Sequence, residues 1–123
     1  MVVDTSIILA IYFDEAHGPW ATDQLNSHSG QLRMSTVNLA EALIRIRDRQ
    51  PALADELQQR LLTSGIRFVA PDEKQAQIAA RARLKYPLNL GDCFAYALAS
   101  EERCPLLTLD QDFRAIDLPV LLP

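Results

Sequence analysis

Short apolar, β-rich runs alternate along this chain with longer stretches patterned at helical spacing, and that alternation most narrows what it can fold into. Met1-Val2-Val3, Leu32 to Met34, Ile66 to Val69 and Leu106 to Leu109 read as strands, with Val120 to Leu122 as a short edge strand. A helix is predicted from Ser6 to Phe13. Pro19 then suits the first position of a helix running to about Ser27. Ser35 and Thr36 cap a helix that carries Leu39, Leu43 and Ile46 at helical spacing, and Pro51 interrupts it. Leu53, Leu57 and Leu61 mark the next helix, closed by Gly65. Asp72 with Gln75 approximates a capping box for a helix through about Lys85. Pro87 ends that helix, and Asn89 is placed to cap another from Leu90 to Glu102. Such alternation predicts an α/β fold: a three-layer α/β/α sandwich around a central, mainly parallel sheet of four to five strands. With no internal repeat, low-complexity tract or linker, residues 1–123 read as one domain.

The net charge of −4 argues against gripping nucleic acid by bulk positive charge, but leaves room for a nuclease whose metal ions supply the local cation. Ten of the twelve basic residues are Arg, which suits bidentate contacts to phosphate or carboxylate. No apolar run approaches the ~20 residues that cross a bilayer. The opening Met1-Val2-Val3-Asp4 lacks a basic segment, so no signal peptide is expected. Cys93 and Cys104 have neither a paired spacing nor a His nearby and read as reduced thiols of a cytoplasmic protein.

In an open parallel sheet, ligands bind beyond the carboxyl ends of the strands. Asp4 follows the first strand; Asp110 follows the fourth, with Asp112 two residues on. Glu41 and Asp92 interrupt apolar stretches near the starts of two helices, and helix starts share the rim with strand ends. Singly each acid has a plain reading: Asp92 complementing a helix dipole, Asp110 in a turn, Glu41 facing solvent or pairing with Arg45 one turn on. Together, Asp4, Glu41, Asp92 and Asp110 can converge on one pocket. Crowded carboxylates repel and raise one another's pKa, and a divalent cation relieves this. Oxygen-only ligands suit Mg²⁺ or Mn²⁺ rather than Zn²⁺. Such an ion equips a site for phosphodiester hydrolysis.

Four segments resemble the PIN-domain family, specifically its VapC-like toxin ribonucleases. They are Val2-Val3-Asp4-Thr5-Ser6, Asn38-Leu39-Ala40-Glu41, Asn89-Leu90-Gly91-Asp92-Cys93-Phe94-Ala95 and Leu107-Thr108-Leu109-Asp110-Gln111-Asp112-Phe113. Order, spacing and length agree over essentially the whole chain. The resemblance implies a PIN-like sandwich and a metal-dependent endoribonuclease acting on tRNA or rRNA. It also implies neutralisation by a cognate antitoxin and a homodimer. By motif position Asp4, Glu41 and Asp92 carry over as catalytic or metal-binding acids, with Asp110 or Asp112 as the fourth. Thr5, Ser6 and Asn38 carry over as polar helpers near the metal. One departure is the short Leu84-Lys85-Tyr86-Pro87-Leu88 in place of the Gly- and basic-rich loop of many relatives, which leaves the RNA target open.

Arg45 and Arg49 share one helical face, and Arg81 and Arg83 form a second basic group; both are candidates for contact with RNA phosphate or an acidic antitoxin segment. His17 and His28 lack ligand spacing and read as surface residues. Ile11, Tyr12, Phe13 and Trp20 read as core or as a groove for a partner helix. The alternative function is a non-catalytic module of the same fold that binds RNA or protein without cutting. A phospho-acceptor receiver domain would want adjacent acids after the first strand and a nearby Lys, and a haloacid-type phosphatase would want Asp-x-Asp there; neither pattern is present.

Overall fold

Five strands run parallel in the order β3-β2-β1-β4-β5, with β1 (Val2–Val3) at the centre and β5 (Val120–Leu121) at one edge. The computed structural model describes all 123 residues. The remaining strands are β2 (Arg33–Ser35), β3 (Arg67–Val69) and β4 (Leu106–Leu107). In register, Val2 lies beside Arg33 and Leu106, and Val3 beside Leu107.

Successive strand residues point to opposite faces, and β1 shows what this does. Val2 packs with Leu106 and Phe113 under α5 (Glu73–Lys85) and α6 (Leu90–Glu102). Val3 packs with Leu107 and Met34 on the other face, against α1 (Thr5–Tyr12), α2 (Gly18–Ser27), α3 (Thr36–Arg49) and α4 (Ala54–Leu62). A strand wholly buried on both faces must be apolar throughout, as β1 and β4 are. The sandwich has helices on both sides of the sheet, as the alternation predicted.

The chain turns from strand to helix by side-chain capping. Asp4 accepts from the Ser6 N–H, Ser35 from Val37 and Asp72 from Gln75. Asn89 and Asp92 form a reciprocal capping box at the start of α6.

Three local expectations are corrected. Asp72 and Gln75 make only half a box, because the Gln75 amide donates instead to Glu101 on α6 at 3.3 Å. Leu53 lies in a 3₁₀ turn (Pro51–Leu53) ahead of α4 and is exposed, so the buried stripe begins at Ala54 and runs through Leu57 and Leu61. β4 stops at Leu107 rather than Leu109, because the Leu109 and Asp110 N–H groups turn to the hydroxyls of Ser6 and Thr108.

β1 is the strand at which the sheet order reverses: β2 lies on one side and β4 on the other. In sheets of this kind the crevice outside the carboxyl ends at such a point is where ligands bind. Asp4 and Thr108 leave the sheet there.

Candidate active site

Asp4 is 3% exposed and held from one side. Its Oδ2 accepts the Ser6 hydroxyl at 2.7 Å and the Thr108 hydroxyl at 2.8 Å, with the Ser6 N–H at 3.4 Å. Each hydroxyl donates to Asp4 and accepts a backbone N–H in turn: Ser6 from Leu109 and Thr108 from Asp110, both at 3.0 Å. The ends of β1 and β4 are thereby sewn together around one carboxylate. Burial pushes the Asp4 carboxyl above its ordinary range, the Ser6 and Thr108 bonds pull it back, and the Glu41 charge pushes it up again.

Asp92 is brought in by α6. Its Oδ2 accepts the Asn89 N–H at 3.2 Å. Burial raises its pKa to about 7; Asp4, Asp110 and Glu41 add repulsion, opposed by the Asn89 bond. Each of the other three acids thus acts on the charge of Asp92. Asp110 caps the 3₁₀ turn Gln111–Ala115, its Oδ1 accepting the Asp112 N–H at 2.9 Å. Asp112 itself is exposed, and its backbone N–H serves the Asp110 cap.

Glu41 makes no hydrogen bond or ion pair; Arg45, one turn along α3, leaves it unpaired. Its carboxylate lies against Gly91, where a Cβ would fall 2.8 Å from Oε1 and 2.9 Å from Oε2. Only a residue without a side chain allows that approach.

Thr5 and Asn38 act one step back. The Thr5 hydroxyl donates to the Asn38 carbonyl at 3.2 Å, and the Asn38 amide donates to the Gly91 carbonyl at 2.9 Å. This chain of bonds locks α1, α3 and α6 in the order that presents Asp4, Glu41 and Asp92. Asn38 Oδ1 is buried without a partner.

The donor set fits a hard divalent cation. Asp4, Asp92 and Asp110 each commit one carboxylate oxygen to the fold and leave the other without a protein donor, and Glu41 leaves both. No three acidic, His or Cys side chains are drawn close enough to grip one ion as they stand.

The basic candidates separate. Arg45 is exposed and unpaired beside the acids. Arg49 is stacked over Phe13, its guanidinium 4.1 Å from the ring centre. Arg81 and Arg83 are exposed on α5, and Arg83 borders an apolar hollow with Leu90 and Phe94. A separate cavity of about 280 Å³ between α1, α2 and α4 is lined by Ile11 and Tyr12, but by neither Phe13 nor Trp20. No helix is long and apolar enough to cross a membrane.

Two residues central to this geometry are not among the candidates nominated from sequence, Thr108 and Gly91. Thr108 stands two residues before Asp110, and a hydroxyl at a strand's carboxyl end is the signal that could have found it. Gly91 has a weaker one, a glycine in the first turn of an otherwise strong helix.

The PIN domain family model matches residues 1–118. The chain belongs to the PIN domain family. Within that PIN family, Ribonuclease VapC42 of Mycobacterium tuberculosis is 37% identical over 128 aligned positions, covering 96% of each chain. Ribonuclease VapC of Mycolicibacterium smegmatis is 36% identical over 132 positions, covering 96% of this chain and 97% of its own. Among solved PIN folds, VapC20 of Mycobacterium tuberculosis, a Sarcin-Ricin loop cleaving toxin, superposes with a TM-score of 0.85 at 17% identity, covering 99% and 98% of the two chains.

Proposed function

We propose that this chain is a VapC-type toxin: an endoribonuclease that depends on Mg²⁺ or Mn²⁺ held by Asp4, Glu41, Asp92 and Asp110. The observation that carries the reading is the arrangement of free carboxylate oxygens, delivered from four separated segments to the point where the sheet order reverses. The ribonuclease activity named for the VapC relatives, at 36–37% identity across the chain, supports RNA as the substrate.

When bound there, a divalent cation polarises a phosphoryl oxygen and lowers the pKa of water. The protein's own part is to aim the oxygens. Ser6 and Thr108 fix Asp4 through Oδ2 and leave Oδ1 without a donor. The capping box does the same for Asp92, and Gly91 lets Glu41 approach from α3. Asp92 Oδ2 stays tied to the Asn89 N–H, so Oδ1 is the atom that would hold a proton or, in its place, a cation. Asp112 is proposed to serve the Asp110 turn through its backbone rather than to ligate.

Two partners complete the proposal. The cavity edged by Ile11 and Tyr12 suits apolar side chains of an antitoxin segment. Ile44 and Leu90, 61% and 73% exposed on α3 and α6, would be covered by a second copy in a homodimer.

The deciding experiment incubates the purified protein with total tRNA and rRNA in Mg²⁺, Mn²⁺ or EDTA. Cleavage is expected with either metal, lost in EDTA and restored by excess metal. Cleavage that persists in EDTA would overturn the metal assignment, and absence of any cleavage would leave the alternative of a non-catalytic module that binds RNA or protein.

A further inference from the structure

Beside the carboxylates lies a hollow of about 460 Å³ that the acids do not use. Leu9, Leu109 and Ser6, all at least partly buried, form its floor, and Glu15, His17 and Arg45, all exposed, form its rim. It joins the acid cluster directly, because the Ser6 hydroxyl on its floor is the group that donates to Asp4 at 2.7 Å. A second hollow of about 380 Å³ holds Glu41 and Gly91, and Arg45 is the one residue lining both. The other two arginines on the carboxyl half of α3 are occupied, Arg47 by Asp55 and Gln58 and Arg49 by Phe13. Arg45 has no such partner, although Glu41 is one turn away.

We propose that this hollow is the subsite for the nucleotide adjoining the scissile phosphate, with Arg45 holding that nucleotide's phosphate and His17 contacting its base. The proposal rests on the ribonuclease reading and adds which part of the strand is gripped and by what. Two apolar side chains on the floor suit the face of a base. The rim supplies the cation that a phosphate leaving an acidic pocket needs. The Glu15 carboxylate on the same rim disfavours a second phosphate there and leaves Arg45 as the anchor. His17 offers ring nitrogens to a base edge and an aromatic face for stacking. Gly18 holds this rim in place: a Cβ there would meet the Ala10 carbonyl oxygen at 2.9 Å, so only glycine lets α2 start this close to α1. Arg45 and His17 are positioning residues for substrate and lie outside the carboxylate machinery.

The test uses the full chain and a pool of single-stranded oligoribonucleotides randomised over ten positions. Cleavage in Mg²⁺ or Mn²⁺ is read by sequencing the products, and binding in Ca²⁺ by fluorescence anisotropy. Arg45→Ala is expected to raise KM about tenfold with kcat changed less than threefold. His17→Ala is expected to flatten the base preference at one position next to the cut. Both should weaken binding severalfold, whereas Arg47→Ala, on the same helix but held elsewhere, should change neither. Binding and base preference unchanged in both variants would overturn the subsite, as would an effect confined to capture of a partner protein. Binding is read apart from cleavage, so a parent that cuts nothing sinks the nuclease reading, and unchanged affinity in the variants sinks this one alone.

Discussion

Asp92 does two things at once, and they pull in opposite directions. Its Oδ2 completes a capping box, which stabilises α6, while burial and three neighbouring acids penalise its charge. An aspartate raised from 3.8 to about 7 keeps its proton in the folded state where the unfolded chain has lost it. The contribution of Asp92 to stability is therefore greatest below about pH 4, falls as pH rises toward 7, and levels off above that. The full shift corresponds to about 4 kcal/mol, but solvent in the open pocket screens it, and about 1–2 kcal/mol is a fairer expectation. In EDTA, Asp92→Asn keeps an oxygen for the Asn89 N–H and sheds the charge. Its stability relative to the parent should climb by that amount between pH 4 and 7. In Mg²⁺ at a hundred times the dissociation constant the parent should gain about 2.7 kcal/mol by mass action, and the variant less. Thermal melts of both proteins check this; a variant less stable than the parent at pH 7 in EDTA would show that the cap outweighs the repulsion. Thr108 is the complementary case, because its hydroxyl is both donor and acceptor within a buried network. Thr108→Val leaves Asp4 and the Asp110 N–H each short of a partner, which should cost about 1–3 kcal/mol. Thr108→Ser should restore most of it in a denaturant titration.

The crossing of α3 and α6 is the element-scale device that makes the site, and it turns on Gly91. Gly91→Ala places a methyl group within 3 Å of both Glu41 oxygens, but those are the tip of a flexible side chain and can move away. The substitution also relieves the helix of a glycine, worth up to about 1 kcal/mol. The melting temperature should therefore stay within about 5 °C of the parent, while RNA cleavage drops at least tenfold because Glu41 is displaced. Full activity in Gly91→Ala would remove Glu41 from the machinery. Much of this was legible in advance. The strand–helix alternation argued for a parallel sheet, and Asn89 announced the start of α6, though not the reciprocal box it makes with Asp92. Asp4, Glu41 and Asp92 could be nominated because acids at strand ends and helix starts share a rim. What was not legible needs knowledge of where neighbours lie. Asp110 and Asp112 look alike in sequence, and only the end of β4, set by hydroxyls intercepting its N–H groups, puts Asp110 at the cap of the turn and Asp112 out in solvent. Gln75 looked like a capping partner because its real partner, Glu101, is 26 residues away. The Glu41–Gly91 contact spans two helices that no local pattern relates.

At the scale of the whole molecule, a net charge of −4 sets the terms on which RNA can be held. A protein that binds nucleic acid through a basic face releases counterions in proportion to the phosphates it covers, with a salt slope near −0.7 per phosphate on a single strand. Here no basic face borders the acids. Arg33 and Arg67 are paired with Glu102, Arg47 with Asp55, and Arg60 with Glu56. Arg45 alone stands free at the pocket's edge, so one or two phosphates are neutralised by the chain, and the next must be neutralised through a divalent ion among the carboxylates. Raising NaCl from 50 to 200 mM should therefore weaken oligoribonucleotide binding only about three- to sevenfold, with a slope of about −0.7 to −1.4. Withdrawing the divalent cation at constant ionic strength should weaken it far more, because four carboxylates then face the phosphate uncompensated. Anisotropy titrations across NaCl at fixed Mg²⁺ or Ca²⁺, and across the divalent ion at fixed ionic strength, separate the two. A slope of −3 or steeper would mean that a basic surface away from the carboxylates carries the affinity, and the RNA would then reach the site along α5, where Arg81 and Arg83 lie, rather than past Arg45.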